Sequence, residues 1–166
     1  MITLNPIEDL VLISINNQWL QLIKNRQCIF SCHINSAKNG VGQLMGSEKT
    51  PLGWHQVSDV IGNGDPINTV FASRQPTGEI FNQELFKNNP DRDWILTRII
   101  RLIGLEMGHN LGGDVDTYNR YIYLHGTPDN ASFEQPSSHG CIRLRNLDII
   151  SLCQQINTQT KVWIYE

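Results

Sequence analysis

"LVLISINNQWLQLIKNRQCIFSCHI", residues 10–34, holds three short runs rich in Ile, Val, Leu and aromatics. They are cut apart at Asn16–Asn17 and by the polar stretch 24–27. Runs this short, broken by turn-formers, predict a β meander, not helices. Working outward, residues 35–49 are rich in Gly, Ser, Asn and Lys and read as a loop, and Thr50-Pro51 forces an extended backbone at Thr50. A strand is expected near Gly53 to Val57 and another at 69–73, amid the turn signals "GNGDP", "RQPTG" and "NNPDRD" of residues 61–93. Residues 94–105, "WILTRIIRLIGL", carry β-branched Ile95, Ile99, Ile100 and Ile103, which favour a strand stopped by Gly104. Residues 118–128 read as a strand ending in a turn, with Tyr121, Tyr123 and His125 on one face. "LDIISLCQQIN" reads as a helix capped by Asn146 or Asp148, and "KVWIYE" as a closing strand. The expectation is a mainly β domain with one or two short helices, single over residues 1–166.

Bulk properties narrow the function. Of 166 residues, 40% are hydrophobic and 17% charged, which is globular composition. Thirteen Lys and Arg against sixteen Asp and Glu leave no basic surplus to follow a phosphate backbone, so nucleic acid is not an expected partner. Mean hydropathy is −0.28 and no run approaches 18 apolar residues, so no spanning helix is expected. The amino-terminal stretch carries Glu8 and Asp9 before a short apolar run and lacks a secretory pattern, which predicts a cytoplasmic protein with reduced cysteines. Cys28 and Cys32, four apart in a β-like run, should share a face as small buried hydrophobes, and Cys153 should sit in the core.

Cys141 is different. It lies in "SSHGCIRL", residues 137–144, after His139 and Gly140, with His125 upstream at a strand end. It can fill core, pair in a disulfide, ligate a metal or act as a nucleophile. A polar turn suits a core cysteine poorly. A zinc site from His125, His139 and Cys141 would match a three-ligand pattern but lacks an evident Glu as general base. A thiol attacks as thiolate, and an imidazole or oriented amides lower its pKa. This setting therefore predicts a thiolate-rich Cys141 at neutral pH. Gly140 permits a sharp turn in which the amides of residues 139–141 can converge on an oxyanion. The residues alone do not rank His125 above His139 as base.

"HGTP" (125–128) followed by "SSHGCIRL" resembles the YkuD-type L,D-transpeptidase domain, and "KTPLGWHQV" (49–57) is similar to that family's Thr-Pro-x-Gly strand. The resemblance implies a YkuD-like β-sandwich or barrel over nearly the whole chain. It implies that Cys141 attacks the diaminopimelate carbonyl of a peptidoglycan stem tetrapeptide and expels D-Ala. By it, His125 is the base, the Gly126 carbonyl orients it, and His139 stands beside an oxyanion site made with the amides of Gly140 and Cys141. Arg143 takes a position that contacts substrate or supports the loop, and Ser138 belongs to the same substrate-binding motif. The resemblance implies no metal or organic cofactor, and acylation of the cysteine by carbapenems.

The motif leaves the acceptor open. Water gives an L,D-carboxypeptidase acting on recycled muropeptides; an amine gives a periplasmic L,D-transpeptidase forming 3-3 crosslinks, its leader removed; a peptidoglycan-fragment binding module without turnover is a third reading. The stretch 98–128 resembles a leaderless branch containing cytosolic L,D-carboxypeptidases, which favours water. Arg98, Arg101, Glu106, Asn110 and Asp116 read as a solvated face with local salt bridges, or as a pocket for the charged ends of the stem peptide. On the second reading Asn110 and Glu106 join the expected substrate-binding set. Trp54 and His55 read as packing residues, and His33 and His109 as structural or surface residues.

Overall fold

The computed structural model describes residues 9–166; the acidic start at Glu8, used above for the compartment, lies outside them. The expected meander is β1 (Leu10–Ser14), β2 (Trp19–Lys24) and β3 (Gln27–His33). After the long loop come β4 (Gly53–Ile61), β5 (Thr69–Ala72), β6 (Gln75–Ile80), helix α1 (Gln83–Asn88) and the ten-residue β7 (Ile95–Gly104). Strands β8 (Tyr123–Thr127) and β9 (Ile142–Arg145), helix α2 (Asn146–Cys153) and β10 (Lys161–Tyr165) complete the chain.

The strands form one curled sheet in the order β3-β2-β1-β10-β4-β7. Beyond β4, β7 also pairs antiparallel with β5, and with β8, which pairs parallel with β9. An isolated antiparallel bridge between Asn35 and Arg143 joins the chain just after β3 to β9, so the sheet returns on itself. Inside the curl, Val11, Ile13, Leu20, Leu22, Ile100, Leu102, Leu124, Ile142 and Ile164 form the main core, plugged by Ile149 and Leu152 of α2. Two smaller clusters flank it: Val70, Phe81, Trp94 and Leu96, and, beneath Cys141, Phe71, Ile99 and Tyr123.

Several local expectations are corrected. Cys32 is buried but Cys28 is exposed. Leu22 pairs with Phe30 while Ile23 pairs with Cys28, so Ile29 is an extra residue that flips the face of everything before it. The "RQPTG" stretch is absorbed into β6 and not left as a loop, because Ala72 pairs with Gln75 in a two-residue hairpin. The strand expected from 118 begins only at Tyr123, and Tyr121 has a left-handed φ of 58° that places it in a turn. Neither Asn146 nor Asp148 caps α2; Arg145 stands at the N-cap without a side-chain bond. The buried Asn146 instead accepts from the Thr97 hydroxyl at 2.6 Å and donates to Asn68 and Asp129, each at 3.0 Å.

His55 is a structural residue, fully buried in β4, with Nδ1 at 3.0 Å from the Gly53 carbonyl and Nε2 at 3.0 Å from the Thr117 hydroxyl. Burial pushes its imidazole from 6.5 down to about 4. A base with a lowered folded pKa stabilises the fold above its unfolded value, and that stability is lost as pH falls. Unfolding free energy should therefore drop by on the order of 3 kcal/mol from this group between pH 6.5 and 4. Urea titrations across that window on wild type and His55→Asn check it: the variant should be less stable at pH 7 and lose less on acidification.

Candidate active site

Parallel pairing of β8 with β9 builds the site. Leu124 opposes Ile142 and His125 opposes Arg143. Side chains alternate across a sheet, so Leu124 and Ile142 point into the core. Tyr123, His125, Cys141 and Arg143 take the other face, over the Phe71–Ile99–Tyr123 cluster against which Cys141 packs.

His125 is fully buried, and its Nδ1 lies 2.7 Å from the Gly126 carbonyl oxygen. A carbonyl only accepts, so Nδ1 carries the proton and Nε2 presents its lone pair. Nε2 has no partner among the described residues. Burial lowers the imidazole pKa, against the smaller opposing effects of Asp93 and the Gly126 carbonyl, so the ring is neutral at pH 7. Gly126 must be glycine: a Cβ there would lie 2.6 Å from the Leu96 carbonyl oxygen and 2.7 Å from Asn146 Oδ1. Asn146 and Thr97, which holds an unusual φ of 70°, thus fix the backbone that orients His125.

Cys141 enters β9 from a braced turn. Gly140 has φ 129°, and a Cβ would meet Ile122 Cδ1 at 2.9 Å. Thr50, buried in the Thr-Pro-x-Gly segment, donates its hydroxyl to the Gly140 carbonyl at 3.0 Å and accepts the Ala37 amide at 3.1 Å. The early segment is therefore a clamp on the cysteine turn. Ser138 is buried and works inside the turn: its hydroxyl donates to the Cys141 carbonyl at 2.5 Å and accepts the Gly140 amide at 3.2 Å. It shapes the turn and has no free hydroxyl for substrate. The Gly140 amide is thus engaged, whereas the amides of His139 and Cys141 have no acceptor among the described residues. His139 is exposed on the rim and borders three separate cavities.

The thiol itself corrects one expectation. Sγ accepts the Tyr123 amide at 3.3 Å and donates to the Tyr121 carbonyl at 3.4 Å. Desolvation, with a smaller push from Asp93, raises its pKa to about 12, outweighing the Tyr123 amide and the cations Arg143 and Arg120. The resting thiol is protonated, because desolvation penalises the thiolate more than its neighbours reward it.

The other expected residues divide. Arg143 borders two of the three cavities that meet at His139, and its guanidinium is held by Asp93 at 2.7 Å and by the Ser137 hydroxyl at 3.2 Å. Asn110 and Glu106 do not line these cavities. Asn110 is fully buried, donates to the Leu52 and Trp54 carbonyls and accepts the Glu106 amide, while the Glu106 carboxylate accepts the Trp54 amide at 2.6 Å. Both brace the backbone of the early β4 corner. Arg98 is buried on the carbonyls of Asp65 and Thr97; Arg101 stacks on Tyr118 and faces Asp59 at 3.6 Å; Asp116 accepts two loop amides. His33 packs edge-on against Trp19, and the exposed His109 contacts Gln43. Residues that the sequence did not assign to the site complete it: a cavity of about 460 Å³ beside Cys141 is lined by Ser73, Arg74, Asp93, Ile95, Tyr121 and Tyr123 as well as the motif. Among the described residues, no group of three or more His, Cys, Asp or Glu converges at metal-binding range, and no helix is long and apolar enough to cross a membrane.

A thiol on the same face of the β8–β9 pair as a neutral, tautomer-fixed imidazole, with free amides in the same turn, is a set that can carry out acyl transfer. The chain belongs to the YkuD family, the L,D-transpeptidase catalytic domain, which it matches over residues 8–164. No curated protein sequence matches it. Its fold is similar to the helical cell shape determining protein Pgp2 from Campylobacter jejuni (17% identity, TM-score 0.59, covering 96% of this chain and 47% of that one). It is also similar to an L,D-transpeptidase from Enterococcus faecium (12%, 0.57, 95% and 50%). A third similar structure is LdtMt1, an L,D-transpeptidase solved in complex with imipenem (14%, 0.56, 95% and 58%). The chain spans about half the length of these structures.

The raised pKa of the thiol makes a specific prediction. In a Cys28→Ser background, which removes the exposed cysteine, the rate of Cys141 alkylation should keep rising with pH past the free-thiol value of about 8.5. A plateau reached below that value would contradict the geometry described.

Proposed function

We propose that Cys141 opens the amide between diaminopimelate and D-Ala in a peptidoglycan stem tetrapeptide and passes the acyl group to water. The observation that carries this is His125: buried, neutral, its Nδ1 bonded to Gly126 and its Nε2 unbonded, on the same face as Cys141. Because the resting thiol is protonated, its proton moves to His125 Nε2 as Sγ leaves its contacts with the backbone of Tyr121 and Tyr123 and attacks the carbonyl. The free amides of His139 and Cys141 receive the oxyanion. The C–N bond breaks, the D-Ala amine takes the proton from His125, and a thioester remains. Water, losing its proton to His125, then releases tripeptide and restores the thiol. No step draws on a metal or organic cofactor. Arg143, fixed by Asp93 beside His125, supports the strand pair and borders the substrate cavity.

Water is the acceptor in this proposal because the stretch 98–128 resembles the cytosolic L,D-carboxypeptidase branch. With it goes a cytoplasmic setting, where recycled muropeptides would supply the tetrapeptide. One observation favours a transferase as the second reading. A separate cavity of about 310 Å³ also meets His139 and Tyr121 and is lined by Glu48, whose carboxylate suits an acceptor ammonium, and by Arg120, whose guanidinium is engaged on the Gly42 and Lys49 carbonyls. Carbapenem acylation of Cys141 belongs to either reading.

Incubation with tetrapeptide, free or as the disaccharide, followed by mass spectrometry should give tripeptide and D-Ala, lost completely in Cys141→Ala. Crosslinked dimer without tripeptide would replace water by an amine. An unchanged substrate with a folded, carbapenem-unreactive protein would leave a binding module.

A further inference from the structure

We propose that Arg74 is the residue that reads the terminal carboxylate of the leaving D-Ala, so that the site selects peptides with a free C-terminus; this rests on the proposed action at Cys141. Arg74 occupies the second position of the two-residue β5–β6 hairpin, with Ser73 at φ 48° and Arg74 at φ 66°. Such turns favour Asn-Gly, since both residues take left-handed backbone. The hairpin between β2 and β3 has the same form, with Asn25 and Arg26 at φ 49° and 63°, and there the arginine is exposed. Arg74 differs: between exposed neighbours it is half-buried, folded 4.7 Å above the ring of Tyr121, with Nη1 donating to the Tyr123 hydroxyl at 3.2 Å.

That placement aims a cation at the reaction centre. Tyr123 donates its amide to Cys141 Sγ and accepts Arg74 Nη1 on its hydroxyl, so one tyrosine side chain separates the guanidinium from the thiol. The carboxylate of a D-Ala lies one residue beyond the scissile carbonyl, and a residue of extended chain spans roughly 3.5 Å. The other cation on this cavity, Arg143, is already neutralised by Asp93 at 2.7 Å. Arg74 has no carboxylate partner among the described residues. A substrate carboxylate would complete its bonding, and a planar guanidinium can hold it in a bidentate pair.

The test uses Arg74→Gly, which suits the left-handed backbone and keeps the hairpin, and Arg74→Lys. Substrates are the tetrapeptide as free acid, with its C-terminus amidated, and with the diaminopimelate side-chain carboxylate amidated. Wild type should prefer the acid over the C-terminal amide by roughly tenfold or more in kcat/KM, mainly through KM, as expected for a charge-assisted bond. That preference should fall to near one in Arg74→Gly and be partly kept in Arg74→Lys, with unchanged circular dichroism. Acid preference retained in Arg74→Gly, or acid and amide weakened equally, would overturn the assignment. A preference that appears only when the diaminopimelate carboxylate is amidated would overturn it too. Calorimetry on Cys141→Ala and Cys141→Ala/Arg74→Gly separates this from the turnover proposal. Acid binding tighter than amide, lost in the double variant, supports Arg74 even if wild type proves unable to cleave. Equal or unmeasurable binding of the two overturns it.

Discussion

Everything at the site depends on the parallel pairing of β8 with β9. A parallel pair cannot be joined by a tight turn and needs a long connection. Here that connection, residues 128–141, ends in the Ser-His-Gly-Cys turn. The pairing fixes the register that sets His125 against Arg143 and puts Cys141 on the face shared with His125. The other face, Leu124 and Ile142, is anchored in the core. A one-residue slip would exchange the two faces, sending the thiol into the core and isoleucine toward the cavity. Hydrophobic burial thus holds the register, and the register holds the chemistry.

Two further braces keep the pair from drifting. Thr50 hydrogen-bonds the turn from one side, joining segments 90 residues apart in sequence. From the other, the Leu96 carbonyl and Asn146, itself held by Thr97, close over Gly126 so tightly that no side chain fits there. Backbone strain at Thr97 therefore lies beside the strand that carries His125, while Gly140 supplies the positive φ that the Cys141 turn needs. The same close packing explains why the thiol is protonated at rest. Desolvation disfavours an isolated thiolate, and the tautomer of the neutral His125 imidazole is already set by the Gly126 carbonyl.

Much of this was legible in the sequence, for physical reasons. The meander of residues 10–34 announces itself through β-branched and aromatic runs between turn residues, and β7 through its isoleucines. Cys141, His125 and His139 stand out in the sequence by type and spacing. What was not legible depends on pairing. Cys28 changes face because Ile29 is an unpaired extra residue, and local alternation carries no mark of a bulge. Strand β6, all but one of its residues exposed, has no hydrophobic period to betray it. Glu106 and Asn110 look like a polar recognition patch, but their partners are backbone groups more than fifty residues earlier. Arg74 gave no signal, since only the curl of the sheet brings its hairpin over Tyr121 and Tyr123.

The central claim is that Cys141 carries the acyl group, with His125 as the base that frees it. Acid quenching during turnover of tetrapeptide, followed by peptide mapping, tests this most directly. The account predicts a thioester-linked tripeptidyl adduct on the peptide containing Cys141, with a burst of D-Ala, and no adduct in His125→Ala. An adduct on another residue, or D-Ala released at full rate by Cys141→Ala, would contradict it.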